Sequence, residues 1–123
     1  MVEQDYITRL IREIARVLAK ILFNMDSDDV TEELKDRLEN SENWKELKRM
    51  IDTGKINEAE NCLDDLRNEE DSEYTEIAIL FYLYLNDMPE DFLEENGFSK
   101  EEVKMGMEQV ADDLGLSGLA DVF

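Results

Sequence analysis

The chain has 123 residues, enough for one domain and too few for two cores of ordinary size. It carries 33 acidic and 13 basic residues, a net charge of −20, which works against a nucleic-acid partner because phosphate contacts need Lys and Arg. It has no histidine and one cysteine, Cys62, which excludes Ser-His-Asp and Cys-His nucleophiles, His-ligated zinc and an internal disulfide.

Proline occurs once and glycine five times, too little punctuation for a turn-rich sandwich or barrel. The spacing predicts a first helix from about Gln4 to Phe23, with Ile7, Leu10, Ile11, Ile14, Val17, Leu18, Ile21 and Leu22 on one face. Arg9, Arg12, Arg16 and Lys20 fall within an arc of roughly 80° opposite that face, whose expected centre is near Ile14 and Ile21. Residues 1–23 hold four basic and three acidic groups, a net of +1, so the remainder holds −21. The basic stripe is therefore either the solvated edge of an ordinary core helix or a candidate surface for self-association, for a partner helix or for a peripheral membrane contact.

A second helix is expected from Val30 to about Glu39, with Asp29 as N-cap and Glu32 three residues on. Asn40 or Ser41 should cap a third helix carrying Trp44, Leu47, Met50 and Ile51, and Gly54 stands where a C′ glycine belongs. The fourth helix, about Asn57 to Arg67, turns Ala59, Leu63 and Leu66 inward. A polar loop at Asn68–Asp71 and a Ser72 cap should precede a fifth helix ending near Asn86. Its centre, Ile77–Leu85, is apolar all round and competes as a buried strand; with no second strand to pair with, helix is the expected state. Pro89 suits the first position of a short helix ending at Asn96-Gly97. Ser99 with Glu102 forms a capping box for the last long helix, which carries Val103, Met107, Val110 and Leu114. The segment from Gly115 to Phe123 is small and apolar, a tail that either docks or frays.

The expected fold is all-α, one compact domain over residues 1–123 with six or seven helices. No uninterrupted apolar stretch marks a signal peptide, and the longest apolar run, Ile77–Leu85, is far short of the about 20 residues of a membrane span. A single cysteine fits a reducing cytoplasm.

Gly54-Lys55-Ile56-Asn57-Glu58-Ala59, followed by Leu63 and Leu66, resembles the turn and second helix of a tetratricopeptide repeat. The likeness covers one hairpin, roughly 42–67, and departs at Leu47 and Leu66, where that family favours small residues. Nothing similar recurs about 34 residues on, and such arrays need about three repeats. The chain as a whole resembles a family of small acidic helical proteins of Gram-positive bacteria, of unknown function. The residues that carry this likeness are Gln4-Asp5-Tyr6-Ile7 leading into Arg9–Glu13, then Gly54–Ala59, then Phe92–Ser99. It implies an intracellular bacterial helical protein and carries over no catalytic residue.

Carboxylates are abundant enough to cluster by chance. The acidic stretch Asp26–Glu33 fails the EF-hand pattern, with Val30 fifth, Thr31 in the glycine position and Arg37 last. Glu58, Glu60, Asp64 and Asp65, continuing into Glu69, Glu70, Asp71 and Glu73, form the densest negative zone, either a solvated face or a docking surface for a basic partner. Cys62 has no neighbour in sequence that would lower its pKa. Trp44, Phe81, Tyr82 and Tyr84 read as core aromatics.

The function expected is a non-enzymatic interaction or scaffold module, without cofactor, metal or catalytic residues. Its candidate surface is Arg9, Arg12, Arg16, Lys20, Glu58, Asp64 and Asp65. The expected partner is a protein, with a homodimer as one form, and not a nucleic acid. A small carboxylate- or metal-dependent enzyme and a peripheral membrane protein are the alternatives.

Overall fold

A computed structural model describes residues 2–26, 28–118 and 121, with the side chains of residues 2–4 outside that description. Seven helices follow one another: α1 (Val2–Phe23), α2 (Val30–Arg37), α3 (Glu42–Asp52), α4 (Ile56–Asn68), α5 (Tyr74–Asn86), α6 (Glu90–Glu95) and α7 (Lys100–Asp113). No strand occurs among the described residues.

The apolar run of α5 decides the architecture. Its residues Ile77–Leu83, with Leu85, are all buried, so this helix needs neighbours on every side. It packs against α1, α2, α3, α4 and α7, while α1 lies against α7 and α3 against α4. One continuous core results, with Ile11, Ile14 and Leu18 of α1, Leu47 and Ile51 of α3, and Val103 and Met107 of α7 closing on α5. Trp44 meets Tyr84 edge-on, their ring centroids 5.6 Å apart.

Local chemistry sets the helix ends. Asp29, Ser41 and Ser99 each accept the backbone N–H three residues on, as N-caps do. The Ser99 hydroxyl also donates to Glu102 Oε1 at 3.3 Å. Gly54 takes φ +86°, and the Lys55 N–H reaches back to the Met50 carbonyl at 2.8 Å, the bond that closes a Schellman turn. A Cβ at Gly54 would stand 2.4 Å from Asn96 Oδ1, so glycine here answers both a left-handed backbone and a close neighbour.

Several expectations are corrected. Ser72 does not cap α5; it is exposed, and the residue before the helix is Glu73. Asp71 serves instead, its side chain accepting the Glu73 N–H at 2.9 Å and its carbonyl the Tyr74 N–H at 3.0 Å. Glu70 makes this possible by adopting φ +54°, so a left-handed residue turns Asp71 toward the helix start. Ile21 is not buried: it is 56% exposed although it continues the face of Ile7, Ile14 and Leu18, which is covered only as far as Ala19. Pro89 stands at the N-cap, one residue earlier than expected. Leu116 packs on the core, Ser117 and Gly118 are exposed and the Asp121 N–H donates to the Gly118 carbonyl at 3.0 Å; residues 119–120 and 122–123 of the expected tail lie outside the described residues.

Candidate interaction surface

Helix α1 exposes one edge along its length. Arg9, Arg12, Arg16 and Lys20 are all exposed there, as their positions opposite the buried face require. Arg12 reaches Asp87 at the end of α5, at 3.3 Å, and Arg16 reaches Glu13 at 2.6 Å. Lys20 pairs with Asp26 just past the helix. Arg9 makes no ion pair among the described residues. All these pairs are solvated and contribute little to stability. Tyr6, 51% exposed, lies beside the basic stripe, and Ile21 is exposed near the end of the helix. They are two of the three large hydrophobic side chains that the described residues expose; Met105 on α7 is the third. Tyr6, Arg9, Leu10, Arg12 and Glu13 line an open groove of about 520 Å³.

The acidic candidates lie elsewhere. Glu58, Asp64 and Asp65 are exposed on α4, and α5 packs on both α1 and α4. The two halves of the expected surface therefore sit on different helices packed against α5. Asp64 borders an open cleft of about 420 Å³ with Glu60, Tyr82, Glu102, Met105 and Gly106. Inside it the buried Tyr82 hydroxyl donates to Glu60 Oε2 at 2.8 Å. Partial burial raises the Glu60 pKa above the ordinary carboxylate value, Asp64 and Glu102 add to the rise, and the Tyr82 hydroxyl opposes it. Burial, followed by the charge of Glu60, raises the Tyr82 pKa as well. A half-buried carboxyl that holds its proton more readily than usual can exchange one with a bound group.

Gly106 explains why Tyr82 fits there. A Cβ at position 106 would lie 2.1 Å from Cε1 of the Tyr82 ring, so the ring passes over bare backbone. The sequence reading named Glu60 only as one acid in a negative zone and Tyr82 only as a core aromatic, and it passed over Gly106. An isolated glycine within a helical pattern was the available signal.

Lys100 was also missed. It is buried at the first turn of α7, and its ammonium donates to the backbone carbonyl of Asn86 and, at 3.3 Å, to Asn86 Oδ1. The Asn86 amide in turn donates to the Thr8 carbonyl at 3.1 Å. One cation thus satisfies the last carbonyl of α5, where the helix dipole is negative, and links α5, α7 and α1. Burial lowers its pKa, Asp87 and Glu90 counter that, and Arg12 reinforces it.

Among the described residues, no group of three or more Cys, Asp or Glu is placed to hold a metal ion. Cys62 is exposed and unpaired. No described helix is long and apolar enough to cross a membrane.

Seven helices among the described residues, five of them packed on the apolar α5, with a net charge of −20, define a small acidic all-α protein. The chain belongs to a family of unknown function, DUF6483, whose match covers residues 1–115. No curated protein and no solved structure is detectably similar.

Proposed function

We propose that the chain is a non-enzymatic protein–protein interaction or scaffold module, working in the cytoplasm of a Gram-positive bacterium. The observation that carries this reading is the outer edge of α1. There four cations and the exposed Tyr6 lie together on a chain that is otherwise −21. Exposed apolar groups beside charge are what a docking face offers. The hairpin of α3 and α4, with its likeness in sequence to a tetratricopeptide unit, supports the same reading. The lone exposed thiol suits a reducing compartment. The partner is a protein, since the overall charge repels nucleic acid.

The experiment is cross-linking in the native host with wild type and with Arg9→Glu/Arg16→Glu. Both positions are exposed, so the variant should fold normally and lose specific protein adducts. Identical adducts from both proteins would remove the α1 edge from the reading.

A small carboxylate-dependent enzyme is the second reading, and the raised pKa of Glu60 beside Tyr82 is what favours it. Turnover of a small molecule by the purified protein, abolished in Glu60→Gln, would establish it over the first.

A further inference from the structure

We propose that Asn96 is a site of spontaneous covalent modification, closed while the last turn of α6 is formed and open when that turn frays, and that its product releases a contact between two glycine turns.

The turn itself demands the sequence. At the end of α6 the Gly97 N–H donates to the Glu94 carbonyl at 3.1 Å and the Phe98 N–H to the Leu93 carbonyl at 2.9 Å, the pair of bonds that makes a Schellman motif. Gly97 holds φ +73° there, a left-handed backbone that favours glycine. With Asn96 before it, this glycine gives the chain its one Asn-Gly dipeptide. A residue without a side chain leaves its nitrogen open to the carboxamide that precedes it. The Gly97 nitrogen bonds to Asn96 Cγ, the Cγ–Nδ2 bond breaks, and Nδ2 leaves as ammonia with the proton that the Gly97 nitrogen gives up. Water then opens the succinimide at one carbonyl or the other, and position 96 becomes aspartate or isoaspartate.

The fold withholds both reacting groups. The Gly97 N–H is engaged in the Schellman motif, and Asn96 Nδ2 donates to the Phe92 carbonyl at 2.8 Å. Asn96 Oδ1 lies against the bare backbone of Gly54, 2.4 Å from where a Cβ would stand. Asn57 at the start of α4 donates in turn to the Gly97 carbonyl at 3.4 Å. Two asparagines thus tie the α3–α4 turn to the α6–α7 turn. Little else holds α6: it is the helix that packs least on the others, and Leu93 is its one buried residue. Local opening costs least where buried contacts are fewest. The product does not restore the tie. Aspartate sets an oxygen in place of Nδ2 opposite the Phe92 carbonyl, acceptor against acceptor, and adds a charge beside Glu94 and Glu95. Isoaspartate lengthens the main chain by a methylene inside the loop that the Phe98-to-Leu93 bond closes.

The test incubates the full chain in mildly alkaline buffer, folded and in urea, and follows amide-to-acid conversion by peptide mass, with isoaspartate read by enzymatic methylation. In urea Asn96 should convert faster than any other asparagine. In the folded chain it should convert at least about tenfold more slowly, as a reaction that follows a minor open population does. Asn57→Ala, at an exposed position, should speed conversion in the folded chain at least about threefold and leave the rate in urea unchanged. Asn96→Asp should melt below wild type and be cut faster by protease near α6. Four results overturn the proposal: no preference for Asn96 in urea, equal rates in the folded and unfolded chain, Asn57→Ala converting like wild type, or Asn96→Asp melting and resisting protease like wild type.

Discussion

Helices α5 and α1 are both rich in branched apolar residues, and they do opposite things with them. In α5 the apolar residues run round the whole circumference, and five other helices cover them. In α1 they occupy one side, and the other side reaches solvent with four cations and Tyr6. A helix with no polar side has nothing left to present, so α5 organises the fold. A helix with two unlike sides holds the fold with one and is free to recognise with the other. On a strongly acidic chain, the second side of α1 is also where the local charge changes sign.

The sharpest way to break that division is to place the same charge at a covered and at an uncovered position of α1. Ile14 is fully buried, and Ile14→Glu puts an unpaired carboxylate in the core. A loss above about 4 kcal/mol is expected, in the range that buried unpaired charges produce. Ile21→Glu should change stability by no more than about 0.5 kcal/mol, as exposed substitutions do. Urea denaturation of both variants checks the pair, and equal losses would erase the distinction between the two positions.

The second test concerns α5 and what it demands of α7. In an exposed helix interior, Gly→Ala stabilises by up to about 1 kcal/mol. At Gly106 the added methyl would overlap the Tyr82 ring, so Gly106→Ala should instead destabilise, by about 1–3 kcal/mol. The midpoint of chemical denaturation gives the sign directly, and a stabilised variant would mean the ring moves freely. A third and smaller effect is expected at the other end of α5. Lys100→Met leaves the Asn86 carbonyl and amide oxygen without their cation, a loss of about 1–2 kcal/mol after the relief of burying the ammonium. Full retention of stability would show that water replaces the cation there.

Much of this was legible because it is local. Asp29, Ser41 and Ser99 cap helices through bonds to the third residue on, and a spacing of three can be read directly. The order and type of all seven helices follow from such caps and from the 3.6-residue period. Ser72 misled because the local pattern was ambiguous: a left-handed Glu70 hands the role to Asp71, one residue earlier. Ile21 misled because the wheel gives a direction and says nothing of where the neighbouring helices end. The Tyr82–Glu60 bond joins residues 22 apart, and Lys100 reaches Asn86 across 14. Their type and spacing carry no signature, so only the packed chain brings them together. The basic stripe was legible as a stripe, because all four cations share one helix.

The smallest expected effect is also the one whose sign runs against habit. Acidification usually destabilises a protein, because carboxylates paired in the native state lose their charge. Here Glu60 binds its proton more readily in the folded chain than in the unfolded one, since burial, Asp64 and Glu102 all raise its pKa. Its charge weighs against folding above that raised value, and the penalty fades as pH falls through it toward the ordinary value of 4.5. General repulsion among the carboxylates of a −20 chain acts in the same direction. Glu46 opposes this, because its hydrogen bond to Arg49 lowers its pKa, but its contribution is lost only as pH falls below the ordinary carboxylate range. In low salt the melting temperature should therefore be equal or higher at about pH 5.5 than at about pH 7, by no more than about 4 °C. Glu60→Gln should flatten the difference. A clear fall in melting temperature at the lower pH would mean that native carboxylate pairs outweigh both Glu60 and the general repulsion. The acidic exterior would then stabilise the fold that α5 organises, and the contrast between an interior that folds and an edge that recognises would lose its electrostatic half.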